Sequence, residues 1–226
     1  MILGSFCDQL HDSTVGGREQ EFPQVVAAYR DAIARDLFAQ ALNQPAQGDA
    51  HFEMIIELIV ARISSDFTAE RFRDCYREFM QGLAWTTESS MTDLGRNYAA
   101  AFYGYYRPFM SGHEYMLEHY LISYVLRTLF PLGPSESLTE LTAHRTGRSI
   151  REECLILLIH YGIMQTILIG VAGFHKSGFG VEHALRGIQS FAKVFDHSVA
   201  FPASALAALK AKRIETCAGL AMFLRC

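Results

Sequence analysis

"CLILLIHYGIMQTILIGVAGF", residues Cys154 to Phe174, is the stretch that decides the fold. It is nearly long enough to cross a bilayer. His160, Gln165 and Thr166 interrupt it, however, and no second apolar span accompanies it. It therefore reads as a helix apolar on every side, buried at the centre of a globular protein rather than in lipid. A helix of that kind needs other helices around it, and the flanking sequence supplies them. Alternating Val/Ile/Thr runs are missing, as are Asn-Gly or Asp-Gly turns between such runs, so β-structure is not expected. The predicted fold is all-α: a compact bundle of about eight to nine helices with no significant sheet.

Outward from this element, the spacing predicts helices over residues 2–12, 22–42, a segment capped by Asp49, 67–83 introduced by Ser65 and Asp66, an aromatic helix through Tyr98, Phe102, Tyr105, Tyr106 and Phe109, a long apolar helix within 117–133 stopped by a proline, 149–174, 180–199 and 203–224. In the third of these, Phe52, Ile55, Ile56, Ile59, Val60 and Ile63 form the expected apolar face. In the fourth it is Phe72, Cys75, Tyr76 and Phe79, and in the helix from 180 it is Val181, Leu185, Ile188, Ala192, Phe195 and Val199. The polar interruption "LGPSESLTELTAHRTGRS" after Pro131 reads as a surface loop. The chain of 226 residues, half of them hydrophobic, is long enough for one sizeable core. A single helical domain over 1–226 is expected, with a division into 1–110 and 111–226 as the alternative.

Composition narrows the function classes. A formal net charge of −4 with interspersed signs leaves no basic stripe for nucleic acid. The five cysteines, Cys7, Cys75, Cys154, Cys217 and Cys226, include no CxxC pair, so neither a disulfide framework nor a metal site is expected, and a reducing cytoplasmic setting fits. No HxxxH grouping, GxGxxG, GxxxxGK[ST] or GxSxG signature is present.

One helix mixes polar groups into an apolar sequence: "LEHYLISYVLRTLFPLG", residues 117 to 133. Leu117, Leu121, Tyr124, Val125 and Thr128 share a face, while Glu118 lies on its flank beside Ile122. Tyr120, Ser123 and Arg127 share another side, where they can hydrogen-bond to neighbouring helices or to a ligand. Glu118 is either a solvated carboxylate favoured by the start of its helix or a desolvated group able to recognise or deprotonate a lysine. Asp196 lies at the border of the buried face of its helix, and His197 lies on the polar side.

Three stretches carry a likeness to a known family. "ILGSFCDQL" (2–10), "EYMLEHYLISYVLRTLFPLG" (114–133) and "GIQSFAKVFDHS" (187–198) resemble, in this order, segments of the C-terminal part of the flagellin lysine-N-methylases. The resemblance implies methyl transfer from S-adenosylmethionine to surface lysines of flagellin in the cytoplasm, with no membrane span. It aligns Glu118, Tyr120 and Tyr124 with the Glu and two tyrosines of the longest motif. These are the implied catalytic residues, and Arg127, Asp196 and His197 the implied substrate-binding ones. His119, Ser123, Leu132 and Ser198 depart from the family pattern. Family members begin with a cysteine-rich region that holds an iron–sulfur cluster, so this chain is expected to be a C-terminal portion whose partners are flagellin and that region, and which alone lacks activity. Two other functions fit the same helices: a non-catalytic module docking flagellin or the catalytic half, and the ligand-binding domain of a helical transcription regulator.

Overall fold

A computed structural model describes residues 2–35, 37, 50–64, 70–131, 148–217 and 220. The expected capping residues Asp49, Ser65 and Asp66, the polar loop after Pro131 with Leu132, the end of the last helix and Cys226 lie outside these residues. The helices are α1 (Ile2–Val15), α2 (Phe22–Ala34), α3 (Ala50–Ser64), α4 (Glu70–Gly82), α5 (Met91–Ala101), α6 (Arg107–Met110), α7 (Tyr115–Thr128), α8 (Ile150–His175), α9 (Val181–Phe191) and α10 (Phe201–Ala211). A π-helical segment, Phe102–Tyr106, joins α5 to α6 in one rod, so nine helices and no strand are present among the described residues. The all-α expectation holds.

Local chemistry explains several boundaries. Ser149 and Glu152 form a reciprocal cap at the start of α8: the Ser149 N–H donates to the Glu152 carboxylate at 2.7 Å, and the Glu152 N–H donates to Ser149 Oγ at 3.2 Å. Ser90 caps α5 by accepting from the Asp93 N–H at 3.1 Å. Pro108 cannot donate to the carbonyl one α-turn back and its ring would crowd that carbonyl. The rod widens there, and the Arg107 N–H bonds to the Phe102 carbonyl instead. Helix α7 ends as Leu129 turns to a left-handed backbone (φ 52°), just ahead of Pro131.

The chain divides into two compact units, each built from separate stretches. The first comprises Met1–Gln47, Ser123–Leu158 and Ala205–Cys226. Here the first family-like segment is structural. Phe6 packs edge-on against Tyr29 with ring centroids 5.1 Å apart, and Cys7 is buried. Asp8 accepts from Arg151 Nε at 2.8 Å and from the Cys217 N–H at 3.1 Å. Cys7, Cys154 and Cys217 lie together in this core. Contact with Cys217 and Cys7, together with burial, pushes the Cys154 thiol far above its usual range.

The second unit comprises Gly48–Ile122 and Ile159–Ser204. Its centre is the apolar half of α8, and 83% of the most apolar window of that helix is buried in protein. By length and composition the helix could cross a membrane; its covering is helices α4 and α5, brought close by three glycines. A Cβ on Gly82 of α4 would lie 1.8 Å from the Gly170 carbonyl oxygen of α8, and one on Gly173 would lie 2.9 Å from the Ala101 Cβ of α5. Backbone therefore meets backbone where α4 crosses α8, and the small Ala101 side chain of α5 meets α8 at Gly173.

Two predicted faces need correction. In α3, Met54 and Leu58 are buried together with Phe52, Ile55, Ile56 and Ile59, whereas Val60 is exposed. In α9, Val181 and Leu185 point to solvent, as does Val199 beyond it, and the buried face is Ala184, Gly187, Ile188 and Phe191, continuing to Val194 and Phe195. Gly187 draws that face inward, since a Cβ there would lie 2.6 Å from Leu168. A second π-helical segment, Ala192–Asp196, then shifts the helical phase, and Arg62 donates to its Val194 carbonyl at 3.0 Å.

Candidate functional site

The rod α5–α6, the first half of α7 and the middle of α8 enclose a groove of about 600 Å³ in the second unit. The π-helical segment contributes Phe102 and Tyr106, whose ring centroids lie 5.8 Å apart at 30° between planes. Opposite them, α8 contributes Tyr161 and Gln165, and Met110, Leu117 and Leu121 form apolar walls. Two carboxylates complete the lining: Glu114 in the turn before α7 and Glu118 one helical turn further on. Both are exposed residues, and neither takes part in an ion pair among the described residues. Arg107 also borders the groove, with its guanidinium 6.0 Å from the centre of the Tyr103 ring. Aromatic faces beside two negative charges form a lining suited to a cation.

The helix that places Glu118 in the groove sends Tyr120 the other way. Tyr120 is buried, and its hydroxyl donates to Asp196 Oδ1 at 2.9 Å. His160 of α8 lies 3.6 Å from the same oxygen through Nδ1, and its ring stacks on Phe201 at 5.4 Å. The side chains of Asp196 and His160 are 2% and 3% exposed. A carboxylate so thoroughly removed from water requires donors or a positive neighbour, and Tyr120 with His160 supplies that environment. Asp196 is the last residue of the second π-helical segment, so both irregular turns of the unit carry members of these two clusters.

The sequence-predicted site residues thus divide. Glu118 lines the groove; Tyr120 and Asp196 bind each other in the interior; His197 is exposed. Tyr124 and Arg127 belong to the first unit, where the guanidinium lies 5.7 Å from the tyrosine ring centre. The expectation that the aromatic stripe is core holds for Tyr106, which is buried, while Phe102 is half-buried at the groove; Glu114, Tyr161 and Gln165 were given no site role by the sequence. Proline six residues after Phe102 was the available signal that the aromatic helix would open there.

A further polar cluster lies on the same unit. Glu78 accepts from His175 Nε2 at 3.1 Å and from Arg186, and the His175 and His183 rings lie 3.8 Å apart. The Gly180 N–H donates to His183 Nδ1 at 3.2 Å. Burial, followed by the nearby His175 and Arg186, lowers the His183 pKa below its ordinary value. Among the described residues, no group of three or more His, Cys, Asp or Glu side chains is arranged to hold a metal ion.

Comparison with known proteins gives one result. The family model described as "FliB lysine N-methylase C-terminal domain" matches residues 1–223. No curated protein and no solved structure matches the chain.

Proposed function

The chain belongs to the FliB lysine N-methylase C-terminal domain family, and we propose on that basis that it is the helical part of a cytoplasmic methylase acting on lysines of flagellin. We infer that its groove receives the lysine side chain. The observation that carries this reading is the pairing of Glu114 and Glu118 with the Phe102 and Tyr161 rings in one cavity. The apolar walls suit the aliphatic stem of a lysine, and the carboxylates suit its ammonium.

Methylation needs the neutral amine, whereas a free lysine has a pKa of ~10.4 and is almost wholly protonated at neutral pH. Glu118 and Glu114, a turn apart, hold the ammonium in place, and the proton is released to solvent water before the neutral amine attacks. Tyr120 acts as a positioning residue: its bond to Asp196 fixes the rotation of α7, and so fixes where Glu118 points. Arg127 and His197, both exposed, are each proposed as contacts for the protein substrate outside the groove, while Tyr124 is buried and packs in its own unit.

S-adenosylmethionine, the methyl donor the family resemblance implies, carries an electrophilic sulfonium methyl. Its carboxylate calls for a cationic partner, and the cationic side chain bordering the groove, Arg107, lies over Tyr103. We propose that the lysine occupies this groove and that the methyl donor binds elsewhere on the protein. The cysteine-rich region of family members, with its iron–sulfur cluster, is a second proposed partner.

The test is transfer of labelled methyl groups to unmodified flagellin, comparing this chain alone, this chain joined to a cysteine-rich N-terminal region, and the Glu118→Gln form of each. Labelling that falls at least tenfold with Glu118→Gln supports the reading. A docking-only role, favoured by the exposed Tyr115 of α7, predicts that Glu118→Gln leaves labelling unchanged.

A further inference from the structure

The groove lining is richer in aromatic faces than an unmodified ammonium requires. An –NH3+ group is best served by carboxylates and water, because its three N–H bonds are directional donors. Each methyl added to the nitrogen removes one donor and replaces it with apolar surface that still carries positive charge. Water and carboxylates solvate that surface less well, and a π-face attracts it more. The groove contains both elements. Glu114 and Glu118 supply the countercharge, and the half-buried Phe102 and Tyr161 supply two rings, with Tyr106 buried behind Phe102.

Three details point to the methylated form. The Phe102 ring is held in the groove wall by the buried Tyr106 ring one turn along the rod, with centroids 5.8 Å apart and planes tilted by 30°. The cavity, at about 600 Å³, lies well inside the range that accommodates small ligands, so added methyl groups meet no steric limit. Two carboxylates against Arg107 leave the lining with net negative charge. A site built only to hold an ammonium would not need the rings, and one built for apolar groups would not need the carboxylates.

We propose that this groove binds N-methylated lysine more tightly than unmodified lysine, so that a side chain once methylated is retained for further rounds. The proposal rests on the reading that the groove receives lysine side chains, but not on where the methyl donor binds or on the identity of the protein substrate.

The experiment is calorimetric titration of this chain with two short peptides identical except for one lysine, unmodified in one and trimethylated in the other, with tetramethylammonium as a minimal probe. The expected result is a preference for the trimethylated peptide of roughly 2- to 30-fold, the factor corresponding to a cation–π contribution. Phe102→Leu should reduce that preference, and Glu118→Gln should weaken both peptides together. Tetramethylammonium should compete with the trimethylated peptide. Equal binding of the two peptides, or tighter binding of the unmodified one, overturns the proposal and leaves the lysine groove standing. Binding of neither peptide overturns both. The comparison between peptides needs only the unmutated chain, so the outcome does not depend on the folding of any variant.

Discussion

Replacing Gly82 by alanine tests whether the backbone crossing at the centre of the second unit holds the groove walls in place. The new Cβ would lie 1.8 Å from the Gly170 carbonyl oxygen, 2.6 Å from the Phe174 nitrogen and 2.9 Å from the Gly170 carbonyl carbon. All three are backbone atoms of α8, so no side chain can swing aside. Ordinary contact begins near 3.4 Å, and α4 must therefore withdraw from α8 by roughly 1.6 Å, the difference between 3.4 and 1.8. A gap of 0.5–1 Å already forfeits about a quarter to a half of the dispersion well of each pair across it, and Phe79, fully buried beside Gly170, would lose contacts along its ring. Overpacking usually costs about 1–3 kcal/mol, and a clash of backbone with backbone belongs at the upper end, about 3 kcal/mol. For a chain of this size that corresponds to a fall in Tm of roughly 6–12 °C. Thermal and urea unfolding followed by circular dichroism would measure it, with Gly104→Ala as the control, because no atom lies within 4 Å of a Cβ at that position. Gly104→Ala should be neutral or slightly stabilising. A loss below about 1 kcal/mol for Gly82→Ala would refute the argument that this crossing is set by glycine contact.

Other perturbations separate the roles assigned above. Tyr120→Phe leaves the buried Asp196 carboxylate without its hydroxyl donor and should cost about 1–3 kcal/mol in urea unfolding. Asp196→Asn combined with Tyr120→Phe should cost less than the sum of the two, and strict additivity would mean that the bond contributes nothing. His183, with its folded pKa lowered by burial, binds protons less readily folded than unfolded, so stability is full above about pH 6.5 and declines as pH falls below it. His183→Asn, which keeps a side-chain acceptor for the Gly180 N–H, should flatten that decline in melts between pH 7.5 and pH 5; an unchanged slope would remove His183 as its source. Cys7, Cys154 and Cys217 should resist thiol reagents at pH 8 in the folded protein and react on unfolding, because burial and, at Cys154, a raised pKa suppress the thiolate. Rapid labelling of Cys154 in the native state would contradict that placement.

How much was legible in the sequence differs between elements for physical reasons. The all-α class, the burial of most of the Cys154–Phe174 helix and the likeness to the methylase family derive from local pattern: an apolar run interrupted by His160, Gln165 and Thr166, and motifs read directly along the chain. Helix starts were equally local, as the Ser149–Glu152 cap shows. The buried face of α9 was not, because Gly187 lets the helix approach Leu168 and the π-helical segment then rotates the residues beyond it, and a fixed period of 3.6 contains neither effect. The aromatic stripe through Phe102 and Tyr106 showed the same ambiguity, since its spacing is that of a core whether the rings end in a core or in a groove.

Sequence by itself determined which side chains share a turn: Glu114 with Glu118, Phe102 with Tyr106, and Glu118 on a different side of α7 from Tyr120. Only the tertiary structure decided which partners those sides meet. It brought Tyr161 and Gln165 of α8 opposite Phe102 and Tyr106 to make a cavity, and it joined Tyr120 to Asp196, 76 residues away. Helical periodicity relates neighbours within a few turns, whereas the choice of helix covering a given face depends on how closely backbones can approach, and in this protein Gly82, Gly170 and Gly173 govern that approach.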